Sequence, residues 1–188
     1  IVLHKFGVLK SKDILAYSSS KGILGGHPDC TVVPGVEAST GSLGHGFPTA
    51  VGLGLGLKIQ KKNNKIFVLV GDGECQEGTI WETANIATNQ NLGNICVIVD
   101  WNGSAKQLMP IDDLVNKWKA FGWTTLTTDG HSEKELSKTF KKVKFNLHGV
   151  PTVILAKTTK GKGVSFIQGH GNWHHKIPSE DEKIKIYY

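Results

Sequence analysis

Ile66-Phe-Val-Leu-Val-Gly71-Asp72-Gly73-Glu-Cys-Gln-Glu77-Gly78, answered by Val97-Ile-Val-Asp100-Trp-Asn102, decides how this chain is read. In the first stretch an apolar run of strand length enters Gly-Asp-Gly, and a helix predicted over Thr79 to Gln90 follows at once. Ile80, Ala84 and Ala87 share one face of that helix. In the second stretch another apolar run, Ile95 to Val99, leads to Asn102, thirty residues after Asp72. Parallel strands joined by a helix stop at the same edge of a sheet, so the spacing predicts that Asp72 and Asn102 meet there. Two oxygen donors beside a helix N-terminus suit a hard cation carrying a diphosphate. Asp72 offers a carboxylate oxygen, Asn102 a side-chain carbonyl, and the backbone near Ser104 a third oxygen. Phosphate oxygens and water then complete an octahedral Mg²⁺, an ion that seldom takes an all-protein cage. The plainer alternative is a strand-end turn with an unrelated Asn cap, because Asp-Gly after a strand is often only a turn.

Outward from this pair, the pattern alternates. Residues 1 to 20 read as helical pieces, with Leu3, Phe6 and Leu9 at helical spacing and Ile14 and Tyr17 repeating it. Residues 22 to 46 form a long glycine-rich loop of the kind that is usually functional or disordered. A helix is predicted from Phe47 to Lys61. Its Gly52, Gly54 and Gly56 each cost about 1 kcal/mol of helix propensity against Ala, which close approach of another backbone would justify. The run GLGLGL there follows no strand and does not match a dinucleotide fingerprint. Pro110 and Asp112 open a helix carrying Leu114, Val115, Trp118 and Phe121, ended by Gly122. Trp123 to Leu126 is a short strand, and Ser132 with Glu135 makes a capping box for a helix bearing Leu136, Phe140 and Val143. Val150 to Ala156 is continuously apolar, as a strand buried on both faces requires. The sequence predicts an α/β fold, doubly wound, with a mostly parallel sheet, helices on both faces and a single domain over residues 1–188.

Composition narrows the class. Hydrophobic content of 39% and charge of 20% over 188 residues are those of a globular domain. Each apolar run is interrupted well before the ~20 residues of a membrane span, and no signal peptide is visible at Ile1 to Lys10. The net charge of +6 rests on 22 lysines and no arginine. The lysines are dispersed or lie along helix faces, without the Arg patches or stacking aromatics of nucleic-acid binders. Neither nucleic acid nor membrane is expected as a partner; phosphorylated small molecules are. Cys30, Cys75 and Cys96 are odd in number and lack CxxC spacing, which argues against a disulfide framework or a structural zinc site and points to a reducing, cytoplasmic setting. Cys75 reads as a packed small residue. His170, His174 and His175 suggest a zinc cluster only superficially, since Gly171 and Pro178 oppose a helix there and no Cys or carboxylate joins them.

The loop stretches GHPD (Gly26–Asp29) and PGVEASTGSLGHG (Pro34–Gly46), with GDGECQEGTIWET (Gly71–Thr83) and Trp173-His174-His175-Lys176, resemble the transketolase family of thiamine-diphosphate enzymes, especially its separate N-terminal subunits. The likeness runs from Lys21 to the end of the chain, and PGVEASTGSLGHG is far more specific than GDG. The resemblance implies the thiamine-diphosphate-binding fold, with thiamine diphosphate held through Mg²⁺ or Ca²⁺ by Asp72, Asn102 and the Ser104 carbonyl. Gly71 and Gly73 would lie along the diphosphate, and Gly41 and Leu43 would hold the aminopyrimidine. His27 and His174 match histidines that face the thiazolium and the substrate, His174 also contacting the cofactor. Glu77 matches an acid in the subunit interface. Glu82 is either a second interface acid or a solvated helix residue, and His45 stands where the family often has Gln.

By the same resemblance the activity is transfer of a two-carbon ketol unit between sugar phosphates. The Glu that activates the aminopyrimidine belongs to a pyrimidine-binding domain or C-terminal subunit, so the expected assembly is a homodimer or heterotetramer that is inactive without that partner. The family's further upstream His, in a Ser-Lys-Gly-His-type segment, has no counterpart here, so the chain is expected to lack an N-terminal segment. The stretch Gly103 to Pro110 is also shorter than usual. Other thiamine-diphosphate enzymes, such as a 1-deoxyxylulose-5-phosphate synthase, fit the PGVEASTGSLGHG loop less well. A non-catalytic assembly subunit that kept the fold is the alternative from outside enzymology.

Overall fold

The computed structural model describes residues 1–187 except 108, 111, 112, 170, 171 and 175, with backbone alone at 105, 107, 172 and 187. Two short helices, α1 (Val2–Lys5) and α2 (Ser11–Leu15), precede a stretch of turns that reaches α3 (Gly46–Ile59). Then follow β1 (Ile66–Gly71), α4 (Gly78–Asn89), β2 (Ile95–Trp101), α5 (Leu114–Ala120), β3 (Thr124–Asp129), α6 (Glu133–Phe140), β4 (Thr152–Lys157) and α7 (Glu180–Tyr187). Among the described residues, the four strands make one parallel sheet in the order β1-β2-β4-β3. This is the expected α/β architecture.

Side chains of a strand alternate between faces, and here each face meets different helices. Val68, Val70, Val97, Val99, Val153 and Leu155 project together into the main core. They pack with Phe47 and Val51 of α3, Ile80, Ala84 and Ala87 of α4, and Leu114 and Trp118 of α5. The other face meets α6 and the segment after it, where Phe67 sits edge-on to Phe140 and Phe145 at ring separations of 6.1 and 5.4 Å. Cover on that side thins out at β1, the sheet's margin, where Leu69 is 73% exposed. β4 is buried along Thr152 to Ala156, as its continuous apolar run predicted.

Aromatic rings fill the space between α3, α4 and α5. Trp118 and Trp123 pack edge to face at 4.9 Å, Phe47 leans on both, and Trp81 lies 5.3 Å from Trp118. Two of the three indole N–H groups are tied to backbone: Trp123 Nε1 donates to the Ala84 carbonyl at 3.0 Å and Trp81 Nε1 to the Cys75 carbonyl at 2.8 Å, whereas buried Trp118 Nε1 has no partner among the described residues. Tryptophan suits such places because it buries a large ring while its N–H finds an acceptor.

Several local expectations change. Of Gly52, Gly54 and Gly56 in α3, Gly54 alone meets a close neighbour: a methyl there would lie 2.8 Å from Ile95 Cδ1, and its carbonyl accepts from buried Asn94 Nδ2 at 3.1 Å. Gly52 and Gly56 meet nothing within 4 Å, because residues two apart on a helix point to nearly opposite sides. The neighbour is also a side chain, not the backbone expected. β3 runs on to Asp129, its Thr-rich second half paired with β4; hydrophobicity alone did not mark it. Asp112 lies outside the described residues, and the cap of α5 is Asp113, whose carboxylate accepts from Asn116 N at 3.1 Å. At α6, Ser132 Oγ accepts from Glu135 N at 3.3 Å, the first half of the capping box.

Trp118 is fully buried at the junction of three helices. Replacing it by Ala should therefore cost about 3–5 kcal/mol, as large-to-small changes of buried aromatic residues do. Denaturant unfolding followed by circular dichroism measures this, and a loss below about 1 kcal/mol would contradict the packing described.

Candidate functional site

β1 and β2 pair in register with Gly71 opposite Asp100, so both strands deliver their following residues to one edge. Asp72 comes first beyond β1 and is buried, at 3% exposure. Its N–H donates to the Asp100 carbonyl at 3.1 Å, and its Oδ2 accepts from Gly103 N at 2.6 Å, a short, charge-assisted bond. Gly103 has φ +77°, which lets the chain fold back toward Asp72. Asn102 is fixed at both ends of its amide: Nδ2 donates to Asp100 Oδ2 at 3.1 Å, and Oδ1 accepts from Ser104 N at 2.9 Å. Asp72 and the Asn102–Ser104 turn thus meet as the spacing predicted. Gly73 faces open space, since a methyl there would touch nothing within 4 Å.

The glycine-rich loop is fastened to this edge by a residue to which the sequence motifs assign no role. Glu74 accepts from Gly44 N at 3.0 Å through Oε1 and from Gly71 N at 3.3 Å through Oε2. Thr79 Oγ1 donates to the Gly44 carbonyl at 3.0 Å. Gly44 has φ +79°, and a methyl there would lie 2.5 Å from Thr79 Oγ1 and 2.8 Å from Glu77 Cβ. Glu77 itself is exposed at the N-cap of α4, backing the loop. Farther along, Gly41 at φ +145° carries the His27 ring against its backbone, where a methyl would come within 2.7 Å of Cγ. Leu43 is 56% exposed, and His45 Nδ1 lies 3.1 Å from the Leu43 carbonyl and 3.2 Å from Ser42 Oγ.

Beside Asn102 the ends of β2, β3 and β4 border an open hollow of about 730 Å³ lined by residues that include Asp100, Asn102, His131, Thr158 and Lys160. Thr158 Oγ1 donates to Asp100 Oδ1, and Thr159 N donates to His131 Nε2 at 2.7 Å. Lys160 Nζ lies 2.6 Å from His174 Nδ1. An ammonium can only donate, so Nδ1 is the acceptor and the ring's own proton is on Nε2. His174 therefore joins the strand edge through Lys160, while His27 belongs to the loop. Glu74, Asp100, His131 and Lys160 were not singled out from sequence; their one signal was position, each immediately at or beyond a strand end. His170 and His175 lie outside the described residues. Among those described, no group of three or more His, Cys, Asp or Glu is placed to hold a metal. No described helix is long and apolar enough to cross a membrane.

Residues 1–187 match the family described as transketolase, thiamine diphosphate binding domain. The chain belongs to the transketolase family. An apulose-4-phosphate transketolase subunit from Actinobacillus succinogenes is 40% identical over 185 residues, covering 96% of this chain and 66% of its own length. The 6-deoxy-6-sulfo-D-fructose transketolase subunit SqwG of a Clostridium species is 38% identical over 167 residues, covering 86% of this chain and 58% of that protein. This transketolase chain thus spans less than two thirds of these relatives. Among solved structures, the transketolase of Leishmania mexicana superposes with a TM-score of 0.85 at 27% identity, over 98% of this chain and 30% of that one.

Within this transketolase site Cys75 is a packing residue. It is fully buried. Burial first, then the negative Glu74 and Asp72 beside it, push its thiol up from 9.0 to about 12, so at neutral pH it is neither nucleophile nor soft ligand. Burial alone moves Cys96 equally. Iodoacetamide at pH 8 should modify exposed Cys30 and spare Cys75 and Cys96 until the protein unfolds; mass spectrometry reads this out. Both thiols have folded-state values above their unfolded ones, so their contribution to stability is complete below pH 9.0 and is lost as pH climbs toward about 12. Thermal melts across that window should fall less steeply for a Cys75→Ala, Cys96→Ala double variant.

Proposed function

We propose that this chain is the diphosphate-holding portion of a transketolase that moves a two-carbon ketol unit between sugar phosphates. Thiamine diphosphate would be bound through Mg²⁺ or Ca²⁺ on Asp72, Asn102 and the Ser104 carbonyl. The observation that carries the reading is the Asp72 carboxylate. It is buried, and among the described residues no cationic side chain pairs with it. A buried carboxylate without a countercharge is costly, whereas an all-oxygen set beside it suits a hard divalent ion. Two features agree with a phosphate-bearing guest: Ser104 Oγ is buried without a hydrogen-bond partner among the described residues, and the Gly73 backbone is open to approach.

When bound, thiamine diphosphate supplies the nucleophilic carbon that such a transfer requires; this chain's residues bind and orient. Gly71 and Gly73 leave the diphosphate room. Gly41 and Leu43 hold the aminopyrimidine, with Gly41 buttressed by His27. His27 and His174 hold protons at the substrate's oxygens, work suited to near-neutral imidazoles. Lys160, donating to Nδ1, presents His174 with Nε2–H as the donor. Glu77 faces the subunit interface.

The partner is a pyrimidine-binding domain or C-terminal subunit, in a homodimer or heterotetramer. That the Actinobacillus relative is itself one subunit of a transketolase supports this. Three free thiols suit a reducing cytoplasm. Calorimetry with thiamine diphosphate should give binding heat only when Mg²⁺ is present. Asp72→Ala should weaken binding by more than about 100-fold, beyond what loss of a supporting contact costs. Absence of heat with the wild-type protein would overturn the cofactor reading. Ketol transfer should appear only when the partner is added, and turnover by this chain alone would refute the divided site.

A further inference from the structure

Asn102 is useful to a metal only if its amide presents oxygen, and an amide can flip. Both of its contacts forbid the flip. A carboxylate can only accept and a backbone N–H can only donate, so Nδ2 must face Asp100 Oδ2 at 3.1 Å and Oδ1 must face Ser104 N at 2.9 Å. Reversing the amide would set oxygen against oxygen and N–H against N–H. Asp100 is itself held: its other oxygen accepts from Thr158 Oγ1 at the end of β4, and its carbonyl accepts from Asp72 N at 3.1 Å. With both carboxylate oxygens engaged by donors, Asp100 is turned toward Asn102 and Thr158, not outward as a ligand.

We infer that Asp100 is a positioning residue: it locks the Asn102 amide with its oxygen toward Ser104 N, within the turn that closes on Asp72, and so preforms the metal seat. The inference rests on the cofactor reading above. What this role requires of residue 100 is an acceptor, not a charge. An Asn at 100 could turn its carbonyl to Asn102 Nδ2 and donate its own N–H to Thr158 Oγ1, preserving every contact.

The test is a Mg²⁺ titration of thiamine diphosphate binding to the whole chain by calorimetry, with Mn²⁺ binding read by electron paramagnetic resonance. Asp100→Ala should weaken metal-dependent binding by about 10- to 100-fold, the range for loss of a contact that orients a ligand, and Asp100→Asn should stay within about fivefold of wild type. Thermal melting checks that each variant is folded; if Asp100→Ala is not, Asp100→Leu, which keeps more of the side-chain volume, takes its place. Wild-type titration by the truncated variant would overturn the inference. So would equal loss in Asp100→Asn, which would make residue 100 a ligand or countercharge. No metal-dependent binding by the wild type would instead remove the cofactor reading and this inference with it.

Discussion

One short hydrogen bond, from Gly103 N to the buried carboxylate of Asp72, joins the two halves of the site. It exists because β1 and β2 end in step, Gly71 beside Asp100. A parallel pair cannot slip by one residue without turning every buried valine to the wrong face. The valines that make the core therefore also fix where Asp72 and Asn102 lie. Core packing and site geometry are here one constraint, and each oxygen is placed by the sheet more than by its own loop.

The glycine-rich stretch before α3 is placed differently. It has no strand or helix of its own between residues 22 and 45 and takes its position from side chains that reach into it. Glu74 ties Gly44 to Gly71, Thr79 takes the Gly44 carbonyl, and Glu77 leaves no room for a side chain at that glycine. The turn after β1 thus serves two purposes: it carries Asp72 to the edge and anchors the segment that bears His27 and Gly41.

Much of this was legible because apolar runs and turn residues speak locally. β1, β2, β4 and α4 follow from hydrophobic runs and periodicity, and the meeting of Asp72 with the turn that begins at Asn102 follows from the topology those runs imply. β3 was cut short because Thr127 and Thr128 are polar, although pairing with β4 carries the strand past them. The α3 glycines misled because propensity counts three costs without saying which residue faces the sheet. Glu74 and Asp100 stayed hidden for a deeper reason. Each works through hydrogen bonds to groups that are remote in sequence or known only once the turn is folded, and the motif in which each lies assigns it no binding role. Side chains that support a site leave less trace in a sequence than those that touch its guest.

The tryptophans lend the chain an optical property. Trp81 is tethered to the Cys75 carbonyl, three residues beyond Asp72, and its ring lies against Trp118 and Phe121. Any rearrangement of the turn after β1 is thereby conveyed to a cluster of indoles shielded from water. Their intrinsic emission gives a label-free signal for events at the strand edge, on a ring system that needs no dye and no added chromophore.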